Sequence, residues 1–96
     1  MKQHDLEMVV LAILTIADFS GYSLERLSRQ TLGADDLQGA AVFCTIRRLI
    51  KREYVAYYHS STDNKLVYSS TKEGRAYLTA KLDELGYHTK HIAAVN

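Results

Sequence analysis

Four basic side chains, Arg47, Arg48, Lys51 and Arg52, fall within six positions of the stretch FCTIRRLIKREYV, residues 43–55. Cations at that density are suited to holding anions, and phosphates above all. At about 100° per residue, a helix gathers Val42, Phe43, Ile46, Leu49 and Ile50 on one arc. The four cations fill the opposite arc, with Cys44 among them, which predicts a helix with an apolar back and a cationic front. Toward its N-terminus the outward arc carries Ala40, Ala41 and Cys44, small enough to let a helix backbone approach base edges in a major groove. Gln38 could make two hydrogen bonds to adenine, and Arg47 two to guanine. Arg48, Lys51 and Arg52, farther along, are placed for phosphates, and the helix's first turn offers free N–H groups as a further anion site. On an isolated helix the same cations would be an ordinary solvated surface, so the neighbouring elements must decide.

The charge distribution points the same way. Between Leu37 and Lys72 there are six basic and two acidic residues, a balance of +4. The remainder has six basic and nine acidic residues, a balance of −3. A positive patch on an otherwise acidic chain is the footprint of a polyanion-binding surface. Other chemistries find less support. Cys44 is the one cysteine among 96 residues, so no internal disulfide can form and a reducing, intracellular setting is expected. Flanking cations would favour its thiolate, but a lone cysteine on a helix is more often inert. His88 and His91 have a spacing that could contribute to a metal site, yet no cysteine or carboxylate completes one. The seven tyrosines could stack on single-stranded bases, but Tyr54, Tyr57, Tyr58 and Tyr68 are more simply strand residues. No nucleophile–base pair, Gly-rich phosphate loop or paired-carboxylate arrangement is present. The sequence therefore predicts no enzyme and no cofactor.

The elements that position these side chains follow from periodicity. A first helix is expected from about Asp5 to Ala17, apolar around most of its circumference. It is too short to span a bilayer, and Asp5 and Glu7 precede the apolar run where a signal peptide carries Lys or Arg. A soluble cytoplasmic protein is expected. Such a helix in a small domain must be covered on two sides, one by its own core and the other most simply by a second copy of the chain, the alternative being that the C-terminal segment folds back over it. Leu6, Val9, Val10 and Ile13 are the expected homodimer contacts. Asp18–Gly21 reads as a turn with capping serines Ser20 and Ser23. A second helix, Tyr22–Leu32, carries Leu24, Leu27 and Thr31 inward and ends at Gly33. Asp35 and Gln38 have capping-box spacing, which starts the third helix near Asp36 and gives it the span 36–53. The period then switches to two. Tyr54–His59 and Lys65–Ser69 predict a β-hairpin with Lys65 near its tip, reaching the adjoining backbone or minor groove. Ser70 to Glu73 is a second capping box, opening a fourth helix that ends at Gly86. The order predicts an α+β, mostly helical winged helix-turn-helix: three helices, a two-stranded wing and a C-terminal helix. One domain is expected over 1–86, with a short tail over 87–96.

Three stretches carry a family resemblance. LAILTIADFSGYSL, with its Gly21-Tyr22 pair, AVFCTIRRLIKREYV, and STKEGRAYL, with Thr71, Gly74 and Arg75, together resemble the PadR-like transcriptional regulators over about residues 6–85. The resemblance implies DNA binding through the third helix, with Phe43 standing where that family usually has Tyr. It also implies release by small molecules such as phenolic compounds, although nothing here identifies an effector. The chain departs from the pattern at Glu53, where a helix-ending Gly is expected, and in the wing, where only Lys65 answers a basic cluster. The C-terminal region that completes the family's dimer is cut to little more than ten residues. Two functional readings stand. One is a homodimeric, sequence-specific DNA-binding regulator, a repressor, binding double-stranded DNA with helix 36–53 in the major groove. The other is a winged-helix module for protein–protein contact without strong DNA binding, which the meagre wing favours.

Overall fold

The computed structural model describes residues 3–86. The expected tail, with His88 and His91, lies outside the described residues. Helix α1 spans Gln3–Ile16, strand β1 Phe19–Ser20, α2 Gly21–Leu32, α3 Gly39–Lys51, β2 Val55–His59, β3 Leu66–Ser70 and α4 Lys72–Glu84. The architecture is α+β and mostly helical, a helix-turn-helix followed by a β-hairpin wing and a further helix. None of these helices is long and apolar enough to cross a membrane.

α1 runs through the middle of the domain and packs on α2, α3, α4 and β3. Its residues Leu6, Val10, Leu11 and Leu14 are buried against Leu24 of α2, Val42, Ile46 and Leu49 of α3, and Leu78 of α4. Removing one such Leu side chain from a close-packed core costs about 2–5 kcal/mol, so the apolar back of α3 is a firm constraint on which way its front faces.

α2 begins where Ser20 Oγ accepts the Ser23 N–H at 3.3 Å. It ends with Gly33 at φ 61°, where the Ala34 N–H reaches the Arg29 carbonyl at 3.1 Å. Leu24 and Ser28 occupy its buried face, whereas Thr31, expected inside, is exposed. α3 starts three residues later than the Asp35–Gln38 spacing predicts, with Gln38 itself the N-cap. The intervening residues close a separate turn, Leu37 N–H to Ala34 carbonyl at 3.0 Å, and Arg29 Nε donates to the Leu37 carbonyl at 2.8 Å.

The sheet has three strands in the order β1-β3-β2, all antiparallel. Tyr68 lies between Phe19 of β1 and Tyr57 of β2. β1 occupies what the sequence presents as a turn; two residues are too few to show an alternating pattern, and their pairing is set by β3.

The end of α3 is the most constrained corner. Glu53 lies at φ 64°, the left-handed conformation, with its N–H on the Ile50 carbonyl at 2.9 Å and the Tyr54 N–H on the Leu49 carbonyl at 2.9 Å. This is a Schellman stop with glutamate in the position that glycine fills most cheaply. α4 clasps the same corner. Thr71, rather than Ser70, is its N-cap: Thr71 Oγ1 accepts the Gly74 N–H at 2.9 Å and donates to the Glu53 carbonyl at 2.7 Å. Gly74 has no room for a side chain, since a Cβ there would lie 2.1 Å from the Tyr54 carbonyl oxygen. Arg75 Nη1 donates to the Ser70 carbonyl at 3.0 Å, and Ser70 Oγ donates to the Leu14 carbonyl of α1 at 3.1 Å. Thr71, Gly74 and Arg75 thus serve the joint between α4, the sheet and α3. A non-glycine residue in the left-handed region costs about 1–2 kcal/mol, partly offset by the extra freedom glycine brings to the unfolded chain. Glu53→Gly is therefore expected to stabilise the domain by about 1 kcal/mol in urea denaturation.

Candidate nucleic-acid interface

α3 buries Val42, Thr45, Ile46 and Leu49. The opposite stripe, Ala41, Cys44, Arg47 and Lys51, is exposed. Thr45 keeps its hydroxyl satisfied inside the helix: Oγ1 donates to the Ala41 carbonyl at 2.9 Å and accepts from Arg48 Nη2 at 3.1 Å. Arg48 is consequently half-buried and leans along the helix beside Thr45. Among the described residues, Arg47 and Lys51 make no ion pair with a carboxylate.

Arg52 departs from the expected row. Its guanidinium lies 3.3 Å from a carboxylate oxygen of Glu7, a residue of α1 only 6% exposed. It also sits 4.9 Å from the ring centroids of both Tyr54 and Tyr77, which stack on each other at 4.5 Å. The physical reason is that the helix ends at Lys51. Arg52 is its C-cap, about 60° around the wheel from buried Leu49 and so at the margin of the core rather than in the middle of the outward face. Arg52 neutralises the buried Glu7 and ties α1, α3 and α4 together, while its side chain stays 43% exposed.

The N-terminal end differs as well. Gln38 is exposed and makes no side-chain capping hydrogen bond. The Glu25 carboxylate lies against Gly39, such that a Cβ there would be 2.8 Å from Oε1, and it pairs with Arg29. The negative charge favoured at a helix N-terminus is already supplied by α2, so the first turn of α3 is not the open anion site expected of it. Phe43 is 42% exposed. One edge of its ring overlies Gly21, where a Cβ would come within 2.7 Å, so the Gly21-Tyr22 pair reflects how closely α2 approaches α3.

In the wing, Lys65 is exposed, and its N–H donates to Asp63 Oδ1 at 3.1 Å. That hydrogen bond holds the Asp63 carboxyl below its usual range, keeping a negative charge beside the wing's one lysine. On the other face of the sheet the Tyr58 hydroxyl donates to Asp18 at 2.7 Å, which raises the phenol above its ordinary value. Between α3 and the sheet lies a depression of about 380 Å³ lined by Ala40, Phe43, Cys44, Ile46, Arg47, Ile50 and Tyr68.

The expected dimer contacts divide. Leu6 and Val10 are buried in the domain's own core. Ile13 is also buried but lines, with Met8, Val9, Ala12, Ile16, Thr31, Leu78 and Leu82, an apolar groove of about 300 Å³ between α1 and α4. Ile16 is 81% exposed there. The wheel of a helix apolar all round does not say which side the domain itself covers.

No protein-family model and no curated protein matches the chain. Solved structures do. A PadR-family transcription regulator from Clostridium difficile superposes with a TM-score of 0.75 at 19% identity, over 94% of this chain and 96% of its own. The fold is that of the PadR-family regulators. A transcriptional regulator from Clostridium thermocellum matches at TM-score 0.75 and 23% identity, covering 93% of this chain and 87% of that one. Bacillus subtilis PadR in complex with operator DNA matches at TM-score 0.69 and 18% identity, over 80% of this chain and 46% of that one. The three stretches singled out in the sequence map onto joints of this PadR-type fold: Gly21 under Phe43, the stop after α3, and the Thr71–Gly74 clasp.

The two ends of the cationic run should respond differently to mutation. Arg52→Ala leaves the buried Glu7 carboxylate without its partner and is expected to cost about 2 kcal/mol of stability. Lys51→Ala, on the exposed stripe, should change it by less than about 0.5 kcal/mol in the same thermal or urea titration.

Proposed function

We propose that this chain is a DNA-binding transcriptional regulator, a repressor acting as a homodimer, with α3 in the major groove. The observation that carries the reading is the exposed stripe Ala41, Cys44, Arg47 and Lys51, opposite a face buried in the core. Its small residues permit close approach to base edges and its cations meet guanine or phosphate. Arg48 and Lys65 extend the positive surface, whereas the charge of Arg52 is offset by Glu7. The complex of Bacillus subtilis PadR with operator DNA supports the same use of this fold. The solved neighbours named above are transcription regulators, which supports a non-catalytic role. A dimer through the α1–α4 groove would cover its apolar lining and repeat α3 along the duplex.

A protein-contact module is the second reading, favoured by a wing whose one lysine is offset by Asp63. Salt separates the two. A dimer neutralising about six phosphates should lose about a thousandfold in affinity for duplex DNA between about 50 and 200 mM salt. Absence of binding at low salt selects the protein-contact module. Within the DNA reading, Arg47→Ala should weaken binding and relax sequence preference in a mobility-shift assay. Lys51→Ala should weaken all sequences alike and flatten the salt dependence. For the dimer, Ile16→Lys should yield a folded monomer by sedimentation where the parent sediments as a dimer. Identical sedimentation of the two refutes the groove as the interface.

A further inference from the structure

The sheet face turned toward α3 holds an unassigned row of side chains. Register sets Phe19, Tyr68 and Tyr57 side by side across the three strands, with His59 opposite Leu66 farther out on the same face. Burial falls along that row. Phe19 packs against the core and Tyr68 is 8% exposed, but Tyr57, on the edge strand, is 57% exposed. His59 and Leu66 are exposed beyond it. Tyr58, on the opposite face, is tied to Asp18 and is not part of this surface.

Tyr68 also forms one wall of the depression whose other wall is Phe43, Arg47 and Ile50 of α3. The result is a trough with Arg47 on the helix side and the Tyr68 ring on the wing side, continued outward along the same sheet face by Tyr57. A sugar–phosphate chain has complementary chemistry, with anionic oxygens for a guanidinium and apolar deoxyribose C–H groups for aromatic faces. A phenol hydroxyl adds a neutral donor to phosphate.

Resting on the DNA-binding reading above, we propose that the trough between α3 and the wing seats the DNA backbone strand beside the major groove. Tyr57, with His59, is the wing's contact to that strand, taking the place of a basic cluster. Tyr57 packs its ring on a deoxyribose and donates its hydroxyl to the adjoining phosphate. Arg47 closes the other side. The wing then contributes affinity without adding cations, which accounts for a wing that carries Lys65 alone and sets Asp63 beside it.

Hydroxyl-radical footprinting reads deoxyribose access directly. The probe is a duplex selected from a random pool by the parent protein, with equilibrium affinities measured alongside for Tyr57→Ala, Tyr57→Phe and Lys51→Ala. Tyr57→Ala is expected to bind about tenfold more weakly with an unchanged salt slope, because a neutral contact releases no counterions. It should also lose protection at one or two sugars flanking the α3 site. Tyr57→Phe should keep that sugar protection and lose only part of the affinity, which a collapse of the wing would not allow. If Tyr57→Ala binds and protects like the parent while Lys51→Ala is weakened, the wing assignment is overturned and the DNA reading stands. If the parent selects and binds no duplex, both fall.

Discussion

α4 meets α3 at a point where a glycine presses on a carbonyl. Gly74 fits against Tyr54 only because it lacks a side chain, and Thr71 holds the neighbouring Glu53 carbonyl. That contact fixes the residues that stop α3, and the stop decides which side chains belong to the helix face and which belong to the core. Arg47 and Lys51 stand before it and are exposed. Arg52 stands on it and is drawn back against the stacked Tyr54 and Tyr77 rings and onto Glu7. A single turn of chain therefore separates cations available to an external anion from one occupied by an internal charge.

The other end of α3 is partitioned in the same manner. Glu25 and Arg29 hold the turn before Gly39 and place a carboxylate at the helix start, so the cationic surface lies along the side of the helix rather than at its tip. The apolar surplus of the domain is split as well. α1 gives Leu6, Val10 and Leu11 to the interior and leaves Val9 and Ile16 to the α1–α4 groove, away from the cationic stripe. The proposed partners, a duplex and a second copy of the chain, thus address separate faces.

The helix-turn-helix and wing were legible because their signals are local: two amphipathic periods, a glycine stop at Gly33 and a switch to alternation after Tyr54. What was not legible depends on distant partners. β1 exists only because β3 pairs with it, and nothing about Phe19 and Ser20 alone distinguishes strand from turn. The start of α3 follows a turn held by Arg29, a residue on the preceding helix. The ion pair of Arg52 needed the position of Glu7, 45 residues earlier. In the sequence the exposed row through Tyr57 looks like any strand residues, since alternation alone does not say how far the core extends beneath a strand.

In the proposed complex the outward face of α3 meets DNA while its C-terminal joint remains internal. Amide chemical-shift mapping of the protein titrated with its selected duplex tests this most directly. The largest changes should fall between Ala40 and Lys51 and along the inner face of the wing, with Glu7 and Tyr77 little affected. Changes concentrated on Met8–Ile16 and α4, with Ala40–Lys51 silent, would contradict it.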